Sequence, residues 1–245
     1  MHLLLFGDRM LDFPERIAAG IALLPHISEK NNLIYLAVGL VLLLFVGAVM
    51  EHFPGNAGPR IVQAATVATL LSAAWSMKGV QSRLLINIAF VLVIILMIVA
   101  GTMLDKAGFT YAHLLLLLCF FTWMTWLVAH QVLFTGTIDT NKIVGAICIY
   151  ILLGLIWAML YLLVAAAVPG AFNGVSHAPW LDNFATAVYF SFVTITTLGY
   201  GDISPAVPLT RFLVYMEAIV GVFYMAILVA SLIGVRLADR DAEHG

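Results

Sequence analysis

At 245 residues the chain could hold one or two ordinary domains. Hydrophobic residues make up 63% of it and charged ones 10%, where soluble domains average roughly 45–50% and 25%. Eleven basic and thirteen acidic side chains cannot clothe a water-soluble fold of this size, so lipid must cover most of the surface; a net charge of -2 offers nucleic acid no basic face, and disordered, collagenous and disulfide-stapled classes are excluded.

Residues 1–32 do not read as a signal peptide. Asp8, Asp12 and Glu15 interrupt the segment, and no small-residue cleavage site follows an apolar core. It reads as a cytoplasmic segment, either a plain tail or one carrying an amphipathic helix near 15–24 on the bilayer. Five runs then contain no Asp, Glu, Lys or Arg: 33–50, 61–77, 84–104, 111–134 and 143–168. A sixth, 212–235, contains only Glu217. A helix rises ~1.5 Å per residue, so about 20 residues cross the hydrocarbon core, and all six are read as spans. Turn chemistry separates them at 52–59, 105–108 and Pro169-Gly170. Cys119 and Cys148 sit in apolar runs and read as free packed thiols.

The fourth run is the place where repeated arginines would do work in the membrane field. It has none; its only titratable candidates are His113 and His130, which read as packing or interface residues, as do Asn87, Trp123, Trp126 and Gln131. An even number of spans puts both termini on one side. That side would hold Arg9, Arg16, Lys30, Lys78, Arg83, Lys142, Arg236 and Arg240, against Arg60, Lys106 and Arg211 on the other. The bias places both termini in the cytoplasm.

The link between the fifth and sixth runs, 169–211, is not an ordinary loop. Its start, 169–179, is rich in Gly and Pro and reads as exposed. Next comes 182–195, apolar and too short to span, opening on Asp182 and Asn183, residues suited to cap a helix. It reads as a re-entrant half-helix, with Asp182 offering its charge to the positive end of the helix dipole or serving as a plain N-cap, two compatible roles. The stretch Thr196-Thr197-Leu198-Gly199-Tyr200-Gly201-Asp202 follows. Irregular backbone at membrane depth is tolerated only where it is buried or lines a water-filled cavity.

The string from Tyr189 to Ile203 resembles the pore loop of the prokaryotic ion-channel family, and Thr197-Leu198-Gly199-Tyr200-Gly201-Asp202 resembles the potassium-channel selectivity filter, with Leu where Val is commonest. The resemblance is specific over about 182–235 and only a matter of layout over the first four runs. A dehydrating K⁺ must regain its hydration energy from fixed oxygens, and backbone carbonyls aimed at one axis provide them. That aim needs backbone angles alternating between left- and right-handed regions, which glycine tolerates. The resemblance therefore implies K⁺, the permeant ion, at the carbonyls of Thr197, Leu198, Gly199, Tyr200 and Gly201, with the Thr197 hydroxyl added. Leu198 and Tyr200 would point backwards and brace the filter against the half-helix.

Filter support falls to Tyr189, Thr196, Asp202 and Glu217. Tyr189 and Phe190 stand where many potassium channels carry two Trp; Tyr189 keeps a donor for the Asp202 carboxylate, whereas Phe190 has none for the Tyr200 hydroxyl. Val193 stands where some relatives have a buried Glu. Glu217 is expected to hydrogen-bond Ser191, Thr194 or Thr196, with lining of the ion path as its alternative. Gly221 stands where the family places its gating hinge, with close helix packing as the competing role. Gly234 reads as a packing or terminus residue.

The sequence thus predicts an all-α integral membrane protein: six transmembrane helices, with a re-entrant pore helix and a selectivity filter between the fifth and sixth. Its parts are a cytoplasmic segment (1–32), a four-helix membrane domain without voltage-sensor arginines (33–134), a linker (135–141), a pore domain (142–238) and a short cytoplasmic tail (239–245). Within the pore domain lie the pore helix (182–195), the filter (196–202) and the inner helix (210–238). One filter strand per chain requires four chains around an axis. The predicted function is a K⁺-selective channel, a homotetramer in the plasma membrane (the inner membrane of a bacterium), conducting passively and not steeply voltage-gated. Its partners are membrane lipid and its own copies, with no nucleic acid; the gating stimulus, a regulatory ligand or protein among the candidates, is left open. No enzyme motif is present. A weakly selective cation channel and a non-conducting modulatory subunit compete with this reading, and a secondary transporter lacks its expected paired interrupted helices.

Overall fold

The computed structural model describes residues 32–50, 57–76, 81–104, 107–134 and 140–244. The expected N-terminal segment before residue 32, and most of the expected linker at 135–141, lie outside the described residues. Seven helices are described: α1 (Asn32–Met50), α2 (Ala57–Ser76), α3 (Gln81–Leu104), α4 (Ala107–Phe134), α5 (Thr140–Ala167), α6 (Phe184–Ile195) and α7 (Pro208–His244). Two short strands, β1 (Phe172–Asn173) and β2 (Ser204–Pro205), complete the set.

The helices follow from runs of straight-chain and branched aliphatics, with Pro kept to the links and the first turns of helices. Pro208 opens α7, where its missing N–H costs nothing and its fixed φ suits the first turn. Among the described residues, three helices contain stretches long and apolar enough to cross a membrane: Gly108–Val132, Asn141–Ala167 and Pro208–Ser231. The apolar stretches of the others, Leu33–Val49, Arg60–Ala74 and Leu85–Gly101, are shorter.

α1 packs on α2 and α5, α3 lies between α2 and α4, and α4 runs along α5. The core they share includes Leu33, Leu36, Phe120, Phe121, Met124 and Leu155, all essentially inaccessible. Gly47 of α1 lies against the ring of Phe184, so α1 seats directly on the start of α6. Cys119 and Cys148 are both free, as expected, although only Cys148 is buried. His113 is buried against the Trp180 ring, with centroids 5.0 Å apart.

Three boundaries depart from the sequence reading. The expected exposed loop at 169–179 contains β1, which pairs antiparallel with β2 through Phe172 with Pro205 and Asn173 with Ser204. Ala171 and Phe172 are buried there, because an aromatic and a small apolar residue next to the turn find a core beneath them. The half-helix begins at Phe184, two residues later than expected, with Asn183 rather than Asp182 at the N-cap. Asn183 makes no side-chain cap bond; its amide turns back to donate to the carbonyls of Ser176 (2.9 Å) and Ala178 (3.1 Å). The last helix runs from Pro208 to His244, so the expected tail at 239–245 continues the helix through His244 instead of leaving it.

Candidate functional site

The site is built where α6 ends. α6 packs on both α5 and α7, which leaves its C-terminal carbonyls facing the segment that follows. The amide of Thr197 donates to Thr194 O (2.9 Å), and those of Leu198 and Gly199 both donate to Val193 O (2.9 and 3.2 Å). Three consecutive N–H groups are thereby turned back into the helix end, where the partial negative charge of the macrodipole and the orphan carbonyls favour them. Thr197, Gly199 and Gly201 have φ of 61°, 57° and 82°, whereas Leu198 and Tyr200 between them do not have positive φ. This is the alternation of handedness expected for a backbone that lines up its carbonyls on one side. Glycine meets it without strain; Thr197, β-branched, occupies a region that is an outlier for its type.

Residues 196–202 are all exposed on the single chain. Leu198 and Tyr200 are 55% and 68% accessible. Both side chains are open on the single chain, and Tyr200 lies within electrostatic reach of Tyr189 on α6. Their backbone alternates, and α6 already spends its C-terminal end on the amides.

Asp202 takes the hydroxyl of Tyr189 on its Oδ2 at 2.7 Å, the tie that the sequence predicted. This bond, with smaller contributions from desolvation and the Asp202 charge, pushes the Tyr189 phenol up to about 12, so it stays a donor. Just outside, the backbone of Gly174 lies against the Asp202 carbonyl so closely that a Cβ would overlap it. The β1–β2 strap beside it is closed by Asn173 Nδ2 donating to Ser204 Oγ (3.1 Å) and the Ala206 amide donating to Ala171 O (2.9 Å). This strap went unseen in the sequence because two-residue strands carry no periodicity. Phe190, lacking a donor, is buried against Tyr161 and Phe172 (centroids 5.1 and 5.7 Å). Thr196 bonds back to Phe192 O at 2.5 Å and does not meet Glu217.

Glu217 is fully buried, which removes the alternative that it lines a path through the molecule. Its Oε1 lies 2.5 Å from Ser191 Oγ, one of the three expected partners; its Oε2 is met by the Tyr161 hydroxyl, which the sequence reading missed. Tyr161 precedes Glu217 by 56 residues in an apolar run, so no local signal marked it. One turn below, the backbone of Gly221 meets the carbonyl and side chain of Ile195 at the end of α6; a Cβ there would overlap both. Tyr150 donates to the same carbonyl (3.3 Å) and stacks on Tyr224, whose hydroxyl donates to Ala146 O (2.6 Å).

A protein-family model described as an ion channel matches residues 146–236, from the second turn of α5 to deep in α7. Over that segment the chain is similar to the ion channel family. The matched segment contains Tyr150, Tyr161, Tyr189, Ser191, the stretch 196–202, Glu217 and Gly221. Among curated proteins, a rice protein (Oryza sativa subsp. japonica) named two pore potassium channel c is 37% identical over 68 residues, which is 28% of this chain and 14% of the rice protein. The chain thus matches only a small part of that relative's length. No solved structure matches the chain.

Proposed function

We propose that the chain is one quarter of a K⁺-selective channel, a homotetramer that conducts passively through a pore formed by residues 142–238. In this reading the carbonyls of Thr197, Leu198, Gly199, Tyr200 and Gly201, with the Thr197 hydroxyl, replace the water around the ion. The observation that carries it is the backbone of that stretch: left-handed at 197, 199 and 201, with the amides of 197–199 bonded back into α6. Amides committed to the helix leave the carbonyl side as the polar face that an ion can meet. The ion channel match over 146–236 supports conduction, and the partial similarity to a potassium channel supports the choice of ion.

Fourfold assembly is supported by what the single chain leaves uncovered. The apolar stretch of α7 is only 11% buried, against 50% for that of α5, and Leu198 and Tyr200 are exposed on the single chain. A one-strand filter needs three more strands, and neighbouring copies would cover both features at once. In the same reading α1 to α5 and α7 are the six spans, α6 is the re-entrant helix, both termini face the cytoplasm and the site is the plasma membrane. Tyr189, Thr196, Asp202 and Glu217 support the filter. Without arginines, α4 carries no charge through the field, and gating is not steeply voltage-dependent.

The test is K⁺ flux into liposomes containing the purified protein, with Gly199→Ala as its comparison. The wild type carries a Ba²⁺-sensitive flux and G199A, forced out of the left-handed region, carries none. Equal flux from both contradicts the proposal.

A further inference from the structure

The buried group around Glu217 holds three oxygen–oxygen contacts and needs three protons to make them. Ser191 Oγ lies 2.5 Å from Glu217 Oε1 and 2.7 Å from the carbonyl of Gly154; Tyr161 meets Glu217 Oε2. Tyr161 has one hydroxyl proton and Ser191 has one. If Glu217 were a carboxylate, it would accept from both, and nothing would remain for the Gly154 carbonyl. Two lone pairs would then face each other at 2.7 Å inside a site where Glu217 and Ser191 are wholly inaccessible. A third proton on Glu217 satisfies all three contacts. The acid donates from Oε1 to Ser191 Oγ, Ser191 donates to Gly154 O, and Tyr161 donates to Oε2.

We infer that Glu217 is held as a neutral carboxylic acid, a positioning residue that ties α5, α6 and α7 together behind the filter. Among the described residues, the groups facing it are all uncharged. Tyr161 and Ser191 touch it from α5 and α6, and Tyr150 of α5 lies within electrostatic reach. A carboxylate in that setting would be buried without a compensating cation, which is costly at membrane depth; the acid costs no more than a paired amide. Tyr161 thereby becomes a second positioning residue, and Ser191 passes the proton order on to Gly154 of α5. The positioning role rests on the channel reading; the protonation state does not.

The test is infrared difference spectroscopy of the purified full chain at neutral pH, wild type against Glu217→Gln, alongside thermal unfolding of Glu217→Gln and Glu217→Ala. The expected result is a protonated carboxyl C=O band in the wild type that E217Q removes. Glutamine, which donates and accepts as the neutral acid does, keeps the unfolding temperature near that of the wild type, whereas E217A lowers it. The inference is overturned if the carboxyl band appears only after acidification, or if E217Q unfolds as early as E217A or fails to fold. A protein that shows the band but passes no K⁺ refutes the channel reading and leaves the proton where it is placed here.

Discussion

At the scale of single residues, Gly221 separates two roles that the sequence left open. Its backbone lies on the Ile195 carbonyl, at the end of the half-helix. A methyl group there has nowhere to go, because the obstacle is backbone and not the tip of a flexible side chain. Gly221→Ala should therefore destabilise the protein by about 1–3 kcal/mol, the usual cost of overpacking. The measurement is thermal unfolding of the purified protein. A hinge alone would leave stability unchanged or raise it, since alanine favours a helix by about 1 kcal/mol over glycine, so an unchanged or raised unfolding temperature would defeat the packing role. Tyr189 with Asp202 is the complementary case: a pair thirteen residues apart whose tie was legible because Tyr189 stands where many potassium channels carry a Trp and keeps a donor there.

At the scale of elements, the lead-in to α6 is held by one amide. Asn183 donates to Ser176 O and Ala178 O and accepts from Ser176 Oγ (2.9 Å). It folds the preceding loop onto the helix start. Asn183→Ala should remove the part-buried hydrogen bonds to Ser176 and Ala178, at a cost of about 0.5–1.5 kcal/mol each, read as a lower unfolding temperature; a variant as stable as the wild type would show the loop is held by other contacts. This element also shows what the sequence could reveal. The apolar run, the glycine spacing and the turn residues gave the existence of α5, α6 and α7 and the left-handed positions at 199 and 201, since each is a local backbone requirement. The shift of the cap from Asp182 to Asn183 and the β1–β2 strap depend on which polar group finds a carbonyl across a turn. Tyr161 with Glu217 depends on which faces of α5 and α7 meet. Those are tertiary choices, and a run of Leu, Ile and Ala around Tyr161 carries no mark of them.

At the scale of the whole molecule, the exposure of α7 and of residues 196–202 makes one chain an incomplete object. Chemical cross-linking of the protein in membranes should yield a ladder that stops at four chains, and a ladder that stops at two would contradict fourfold assembly. The account as a whole stands on peptide oxygens selecting K⁺. The most direct measurement is the reversal potential of currents through the purified protein in planar bilayers, with K⁺ on one side replaced by Na⁺. The account predicts a reversal potential that moves toward the K⁺ equilibrium value as Na⁺ replaces K⁺. A reversal potential that stays near zero through the exchange would contradict it.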